Sequence, residues 1–88
     1  MTIEIIGTVK TKGEQKQITD NLSLQDFVVT IDETTQYPQH IVIEATNQKI
    51  ELLNSIQIGD KVTVHVNLRG KESKGRYFNQ LVLWKITK

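Results

Sequence analysis

The stretch over residues 46–68, TNQKIELLNSIQIGDKVTVHVNL, changes its apolar period halfway along. In its first half Ile50, Leu53 and Ile56 recur at helical spacing, which predicts a short helix. After the turn signal Gly59-Asp60, apolar and polar residues alternate, which predicts a strand with one apolar face. The residues predicted to face inward are Val62, Val64, Val66 and Leu68. The other elements are arranged around this helix and strand.

Alternation of apolar and polar residues predicts four further strands. They cover residues 3–11, 27–31, 41–43 and 77–87. The polar segment Thr11–Ser23 is predicted to be a long loop between the first two strands, and Gly70–Arg76 to be the loop between the last two. Five strands with one short helix between the third and the fourth are the arrangement of the OB-fold, an all-β barrel.

Length and composition narrow the class of protein. The 88 residues suit one domain, taken as residues 1–88, and the absence of cysteine excludes disulfides and thiolate metal sites. Two histidines are too few to suggest a zinc site. The start of the chain lacks the pattern of a secretory signal, and no apolar stretch approaches the roughly 20 residues that cross a bilayer. We therefore expect a soluble, cytoplasmic protein that does not contact membranes.

Several apolar residues are assigned to packing. Phe27, Phe78 and Trp84 have apolar neighbours and are predicted to lie in the core. A glycine inside the first strand, Gly7, predicts a tight bend or a close approach of two backbones.

Four short motifs mark the second half of the chain. They are Tyr37-Pro38, Gly59-Asp60-Lys61-Val62-Thr63-Val64, Gly75-Arg76-Tyr77-Phe78 and Trp84-Lys85. With these motifs the chain resembles a family of small OB-fold domains of unknown function from Bacteroidetes and their phages. That family is similar in fold to single-stranded DNA-binding proteins, so the resemblance implies that this chain binds single-stranded DNA.

The cations are concentrated where OB-folds bind oligonucleotides. Residues 1–44 carry three lysines against seven acidic residues, a net charge of −4, whereas residues 45–88 carry eight cations against three acidic residues, a net charge of +5. In an OB-fold the loops between strands 1 and 2 and between strands 4 and 5 contact the ligand. Cations that follow the phosphates and rings that stack on bases are the groups needed there. The predicted contacts are Lys10, Lys12, Lys16, Arg69, Lys71, Lys74 and Arg76 for phosphates, with Tyr77 and Tyr37 for bases.

Two alternatives remain open at this stage. RNA would fit the same loops, because phosphate contacts and stacking do not report the sugar. A protein-binding OB module is the other, since Asp32, Glu33 and Glu44 would repel phosphates near strands 2 and 3. The Leu81 and Leu83 side of the last strand, or the Ile6 side of the first, is predicted to form the interface of a homodimer or a higher homo-oligomer.

Catalysis finds no support in the sequence. Asp32 and Glu33 are adjacent carboxylates in a turn without a partnered histidine or nucleophile. The spacing of Gly70 and Gly75 does not continue into the Lys-Ser/Thr of a phosphate-binding loop. We expect no enzyme activity, no cofactor and no metal.

Overall fold

A computed structural model describes residues 2–31 and 34–88 and contains five strands and one helix. The elements are β1 (Thr2–Thr19), β2 (Leu22–Ile31), β3 (Gln39–Thr46), a 3₁₀ helix (Asn47–Ser55), β4 (Lys61–Ser73) and β5 (Arg76–Thr87). The strands form a closed barrel in the order β1-β2-β3-β5-β4. The predicted architecture, a five-stranded OB-fold barrel with one short helix between the third and fourth strands, is confirmed.

The barrel closes through one parallel contact. All other neighbouring strands are antiparallel, whereas β3 meets β5 in parallel, with Glu44 opposite Val82. β1 belongs to both halves of the barrel, because residues 2–8 pair with β4 and residues 8–19 pair with β2. Extra residues in β1 form bulges in its pairing with β2, and bulges bend a strand.

Gly7 lies where β1 passes from one half of the barrel to the other. A Cβ atom at this position would overlap the carbonyl oxygen of Thr30 and would lie 2.7 Å from Cγ1 of Val29. Only a glycine lets the two backbones approach this closely. The predicted close approach is confirmed.

The core is entirely apolar among the described residues and is drawn from all five strands and the helix. Its buried members are Val9, Phe27, Val29, Ile43, Ala45, Leu53, Ile56, Val62, Val64, Val66 and Leu83, together with the nearly buried Ile50. Val82 is also nearly buried, but it lies on the outward side of β5 at the contact with β3. Removal of this apolar surface from water is the main stabilising term of the fold. The inward positions predicted for Phe27 and for the valines of β4 are confirmed. The same prediction for Leu68 is wrong, because Leu68 lies at the base of the β4–β5 hairpin, beyond the closed part of the barrel, and is 40% exposed.

The helix packs on the core as a 3₁₀ helix. Ile50 and Leu53 are buried three residues apart, which brings them onto one side of a helix with three residues per turn. Ile56, the extended residue directly after the helix, is buried as well. The side chain of Lys12, from β1, reaches the end of this helix. Its Nζ donates to the carbonyl oxygens of Leu53, at 3.2 Å, and Ile56, at 2.9 Å. Because the last carbonyls of a helix lack partners within it, this ammonium group caps the helix and holds it against β1.

The turn that follows the helix fixes the start of β4. Gly59 has φ of +97°, its N–H donates to the carbonyl oxygen of Val9 at 2.8 Å, and the N–H of Val9 donates to the carbonyl oxygen of Asp60 at 2.9 Å. The Asp60 carboxylate accepts a hydrogen bond from the N–H of Gln57 at 2.8 Å and pairs with Nζ of Lys88 at 3.1 Å. The pKa of Asp60 is held below its ordinary value, mainly by the hydrogen bond from the Gln57 N–H and next by the hydrogen bond from Lys88.

Both predicted binding loops are in fact paired strands. The prediction of a loop over Thr11–Ser23 is wrong, because β1 and β2 continue as a hairpin to the two-residue turn Asp20-Asn21. In Gly70–Arg76 only Lys74 and Gly75 form the turn, with φ of +53° and +79°. Positive φ at both residues is typical of tight hairpin turns. β2 and β3 likewise extend beyond the predicted 27–31 and 41–43. Residues 13–19, 69–73 and 76–80 are exposed on both faces, so these arms carry no apolar alternation.

The predictions of core positions for Phe78 and Trp84 are wrong. Phe78 is 45% exposed because it lies on the β4–β5 hairpin beyond the barrel. Trp84 is 50% exposed because it is the extra residue between the pairs Val66–Leu83 and His65–Lys85. The register of the hairpin places Leu83 opposite the buried Val66, and the bulge lets Ile86 face the same side opposite Val64. Leu83 is 2% exposed and therefore unavailable as an interface residue.

Replacement of Lys12 by methionine is expected to lower the free energy of unfolding by about 1–3 kcal/mol, because two half-buried carbonyl groups lose a charged donor. Urea denaturation monitored by far-UV circular dichroism measures the change. The matched control is Lys16→Met on the same strand, an exposed position where the expected change is within about 0.5 kcal/mol. Equal effects of the two substitutions would contradict a structural role for the Lys12 ammonium group.

Candidate nucleic-acid interface

Side chains of β2 and β3 that point away from the core form half of one continuous surface. Residues opposite each other in an antiparallel pair lie on the same side of a sheet. The outward pairs are Asp26–Glu44, Val28–Val42 and Thr30–His40, the last joined by a 2.9 Å contact between Oγ1 of Thr30 and Nδ1 of His40. The centre of this half is apolar, whereas one end carries two carboxylates.

The β4–β5 hairpin continues the same surface and supplies its cations. On one side of the hairpin the pairs are Arg69–Gln80, Lys71–Phe78 and Ser73–Arg76, in line with the outward pair Asn67–Val82. On the other side the pairs are Leu68–Leu81, Gly70–Asn79 and Glu72–Tyr77. Three cations, Arg69, Lys71 and Arg76, therefore share the side of the hairpin that carries Phe78. Tyr77, although 78% exposed, shares its side of the hairpin with a carboxylate.

The two halves meet at the parallel contact between β3 and β5. A shallow cavity of about 370 Å³ at this junction is lined by Leu24, Glu44, Arg69, Gln80 and Val82, among others. We name the whole surface the outer face. Its members are Asp26, Val28, Thr30, His40, Val42, Glu44, Arg69, Lys71, Arg76, Phe78 and Gln80.

Of the predicted phosphate contacts, the structure brings Arg69, Lys71 and Arg76 together on the outer face and places Lys74 in the turn at the tip of the hairpin. In the part of the chain that the structure describes, none of the four forms a salt bridge or a side-chain hydrogen bond. Their ammonium and guanidinium groups are therefore available to an anionic ligand.

The three lysines of β1 occupy different environments. Lys10 is an exposed bulge residue and lines a cavity of about 300 Å³ with Thr30 and His40 at the edge of the outer face. Lys16 is exposed opposite Leu24, so it flanks the outer face on the β1–β2 hairpin. The ammonium group of Lys12 is turned to the end of the 3₁₀ helix instead.

The predicted stacking rings do not lie with the main cation group. Tyr37 is exposed in the turn before β3, and Tyr77 is paired with Glu72 on the opposite side of the hairpin. Phe78 is the ring that sequence reasoning missed as a contact. Counting residues outward from a two-residue turn at Lys74-Gly75 would have identified it. This count pairs Phe78 with Lys71, and cross-strand partners lie on the same side of a hairpin.

Carboxylates also lie on the outer face. Asp26 and Glu44 are opposite each other, and within the described ranges 2–31 and 34–88 neither has a cation within salt-bridge distance. Asp32 and Glu33, expected to repel phosphates, lie outside the described residues. The negative charge that the structure places on the outer face is therefore confined to one pair on β2 and β3.

Other kinds of site find no geometry in the described residues. They contain no group of three or more His, Cys, Asp or Glu side chains that could hold a metal ion. The helix that the structure describes is too short and too polar to cross a membrane. The cytoplasmic location stays a prediction.

Solved structures share this barrel at low sequence identity. The mitochondrial single-stranded DNA-binding protein Rim1 of S. cerevisiae superposes with a TM-score of 0.80 at 16% identity, over 99% of this chain and 92% of its own. The N-terminal domain of PriB from Thermoanaerobacter tencongensis, described as dimeric, gives a TM-score of 0.71 at 17% identity, over 98% and 92%. The small single-stranded DNA-binding protein of Streptomyces coelicolor gives 0.58 at 18% identity, over 99% and 92%.

These likenesses establish the fold, an OB-fold barrel like that of single-stranded DNA-binding proteins, and none of the three proteins is described as an enzyme. A search of curated protein sequences found no match. A family model matches residues 4–87, nearly the whole barrel. The chain therefore belongs to the family described as Domain of unknown function (DUF3127).

Proposed function

We propose that this protein binds single-stranded DNA on the outer face, without catalysis and with Arg69, Lys71, Arg76 and Lys74 contacting phosphates. The observation that supports this most directly is that the exposed ring of Phe78 lies on the same side of the β4–β5 hairpin as Arg69, Lys71 and Arg76, which have no ion-pair partner in the described residues. Non-specific single-strand binders combine a cationic groove with rings on which bases stack. The similarity in fold to single-stranded DNA-binding proteins supports the same function.

Lys10 and Lys16 extend the proposed path of the strand across the edge of β1. Both are exposed and flank the outer face opposite the β4–β5 hairpin. Lys12 was predicted from sequence to contact phosphate, but its ammonium group already has two carbonyl partners. Breaking these contacts would cost stability, so we expect Lys12 to contribute less to DNA binding than Lys10 and Lys16.

A protein-binding OB module is the second candidate, and one observation favours it. Asp26 and Glu44 face the same ligand-binding surface and would repel a phosphate placed between them. If single-stranded DNA does bind here, its bases rather than its phosphates would lie over Asp26 and Glu44, and its phosphate backbone would lie closer to the cations. Phosphate contacts and base stacking do not distinguish deoxyribose from ribose, so RNA is included in the same binding experiment.

Fluorescence anisotropy with a labelled oligopyrimidine DNA, its duplex and the equivalent RNA tests the proposed function. We expect the single strand to bind in preference to the duplex, because stacking on Phe78 requires unpaired bases. No binding of any of the three by the folded protein would favour the protein-binding candidate.

The variants Phe78→Ala and Tyr77→Ala separate the two exposed rings of β5. We expect Phe78→Ala to weaken binding by about 1–3 kcal/mol, the usual contribution of one stacked base, and Tyr77→Ala to have a smaller effect. Dissociation constants from the same anisotropy titration provide the comparison. If Tyr77→Ala causes the larger loss, the strand lies on the opposite side of the hairpin and this assignment of the outer face is wrong.

We also propose a homodimer formed through the first half of β1. Residues 2–7 pair with β4 on one edge, and in the described part of the chain no strand pairs with their other edge. Ile6 is 67% exposed there. An unpaired edge with an exposed apolar residue is a template for pairing with a second copy of the same strand.

Replacement of Ile6 by lysine is expected to convert a dimer into a monomer, since two like charges would face each other across the two-fold axis. Sedimentation equilibrium measures the mass in solution. Ile18→Lys is the matched control, because Ile18 is 52% exposed on the distant β1–β2 hairpin. A wild-type protein that stays monomeric at high concentration, or a dimer that is lost in the Ile18 variant alone, would exclude this interface.

A further inference from the structure

A cleft opens between β3 and β5 next to their single parallel contact. The two strands touch where Glu44 lies opposite Val82 and separate toward their N-terminal ends. The opening has a volume of about 390 Å³. Its apolar surface comes from Ile41, Val42, Leu68 and Leu81, of which Val42 is 56% and Leu68 40% exposed. Exposed and half-buried apolar side chains together offer a surface for the flat face of a small aromatic ligand.

Polar groups lie around this apolar surface. The amides of Asn79 and Gln80 and the carboxylate of Glu44 line the same cleft. No side-chain hydrogen bond engages any of the three within the described residues. An amide presents a donor and an acceptor together, whereas an ionised carboxylate only accepts. This combination suits a planar heterocycle that carries an amino group beside a ring acceptor.

The cleft is continuous with the surface proposed to bind DNA. Gln80 is the direct cross-strand partner of Arg69, and the next outward pair along the hairpin is Lys71–Phe78. A strand whose phosphates lie along Arg69 and Lys71 therefore places its bases beside the opening. Glu44 repels phosphate at the same position, which favours a base there over the backbone.

We propose that the cleft between β3 and β5 accepts one nucleobase of the bound strand and that Glu44 selects a base with an exocyclic amino group, cytosine over thymine. This inference rests on the proposed binding of single-stranded DNA on the outer face. Carboxylates accept hydrogen bonds from the amino group of cytosine. Thymine presents a carbonyl oxygen at the same ring position, and its lone pairs face those of the carboxylate. The protein thereby acquires a base preference that stacking and phosphate contacts alone do not supply.

Competition between oligo(dC) and oligo(dT) of equal length, at a mildly alkaline pH where cytosine N3 is unprotonated, tests the preference. We expect oligo(dC) to bind about fivefold or more tightly than oligo(dT), in line with the discrimination of a good side-chain contact to a base edge. Equal affinities would overturn the inference and leave the proposed function intact. Binding of neither oligonucleotide would overturn both.

Two variants distinguish base selection from a general effect of charge. Glu44→Gln and Asp26→Asn each remove one negative charge from the outer face, but of these two residues only Glu44 lines the cleft. We expect Glu44→Gln to bring the affinities for the two oligonucleotides to within about twofold, mainly by strengthening the binding of oligo(dT). Asp26→Asn is expected to strengthen both equally and to keep the preference. Loss of the preference in both variants, or in neither, would show that Glu44 does not select the base.

Discussion

The parallel contact between β3 and β5 is the constraint on which the rest of this structure depends. It closes a sheet that would otherwise have two open edges, and the antiparallel pairs alone would leave β3 and β5 apart. Because Glu44 faces Val82, the outward residues of β2 and β3 continue into those of the β4–β5 hairpin. One interaction thus closes the core and also assembles the surface that carries the cations.

The remaining geometry adapts the chain to this closure. Gly7 lets β1 pass close to the carbonyl oxygen of Thr30. The bulge at Lys10 reverses the alternation of β1 after Val9, so that Lys12 lies opposite the buried Phe27. The 3₁₀ helix connects β3 to β4 along the chain and packs against β2, β3 and β5, with Lys12 holding its end. Cations that appear equivalent in sequence therefore have different tasks, since one stabilises the barrel and others face solvent.

The sequence predicted those parts of the fold that have one apolar side. The valines of β4 and the triplet Ile50, Leu53 and Ile56 show their period directly because each set faces the core. The hairpin arms beyond the barrel are exposed on both sides, so their pairing leaves no apolar pattern to detect. Pairing there depends on backbone hydrogen bonds and turns, for which the composition is a weak guide.

The candidate site was predictable as a region and not in its details. Four of the cations assigned from sequence lie on or at the tip of the β4–β5 hairpin, as expected from the fold. Phe78 was placed in the core because an aromatic residue near Val82 and Trp84 is usually buried, and the apolar pattern contains no information about where the barrel ends. The apolar pattern also gives no sign of the bulge at Trp84. This one extra residue reverses the side of the sheet to which the following residues of β5 point.

The dependence of single-strand affinity on salt concentration tests the central claim most directly. If the cations of the outer face neutralise about four phosphates, the logarithm of the binding constant for oligo(dT) should fall with the logarithm of salt concentration with a slope of about −3. Replacement of Arg69, Lys71 and Arg76 by glutamine should reduce that slope by about two. An affinity that does not change with salt, or an unchanged slope in the triple variant, would contradict the account.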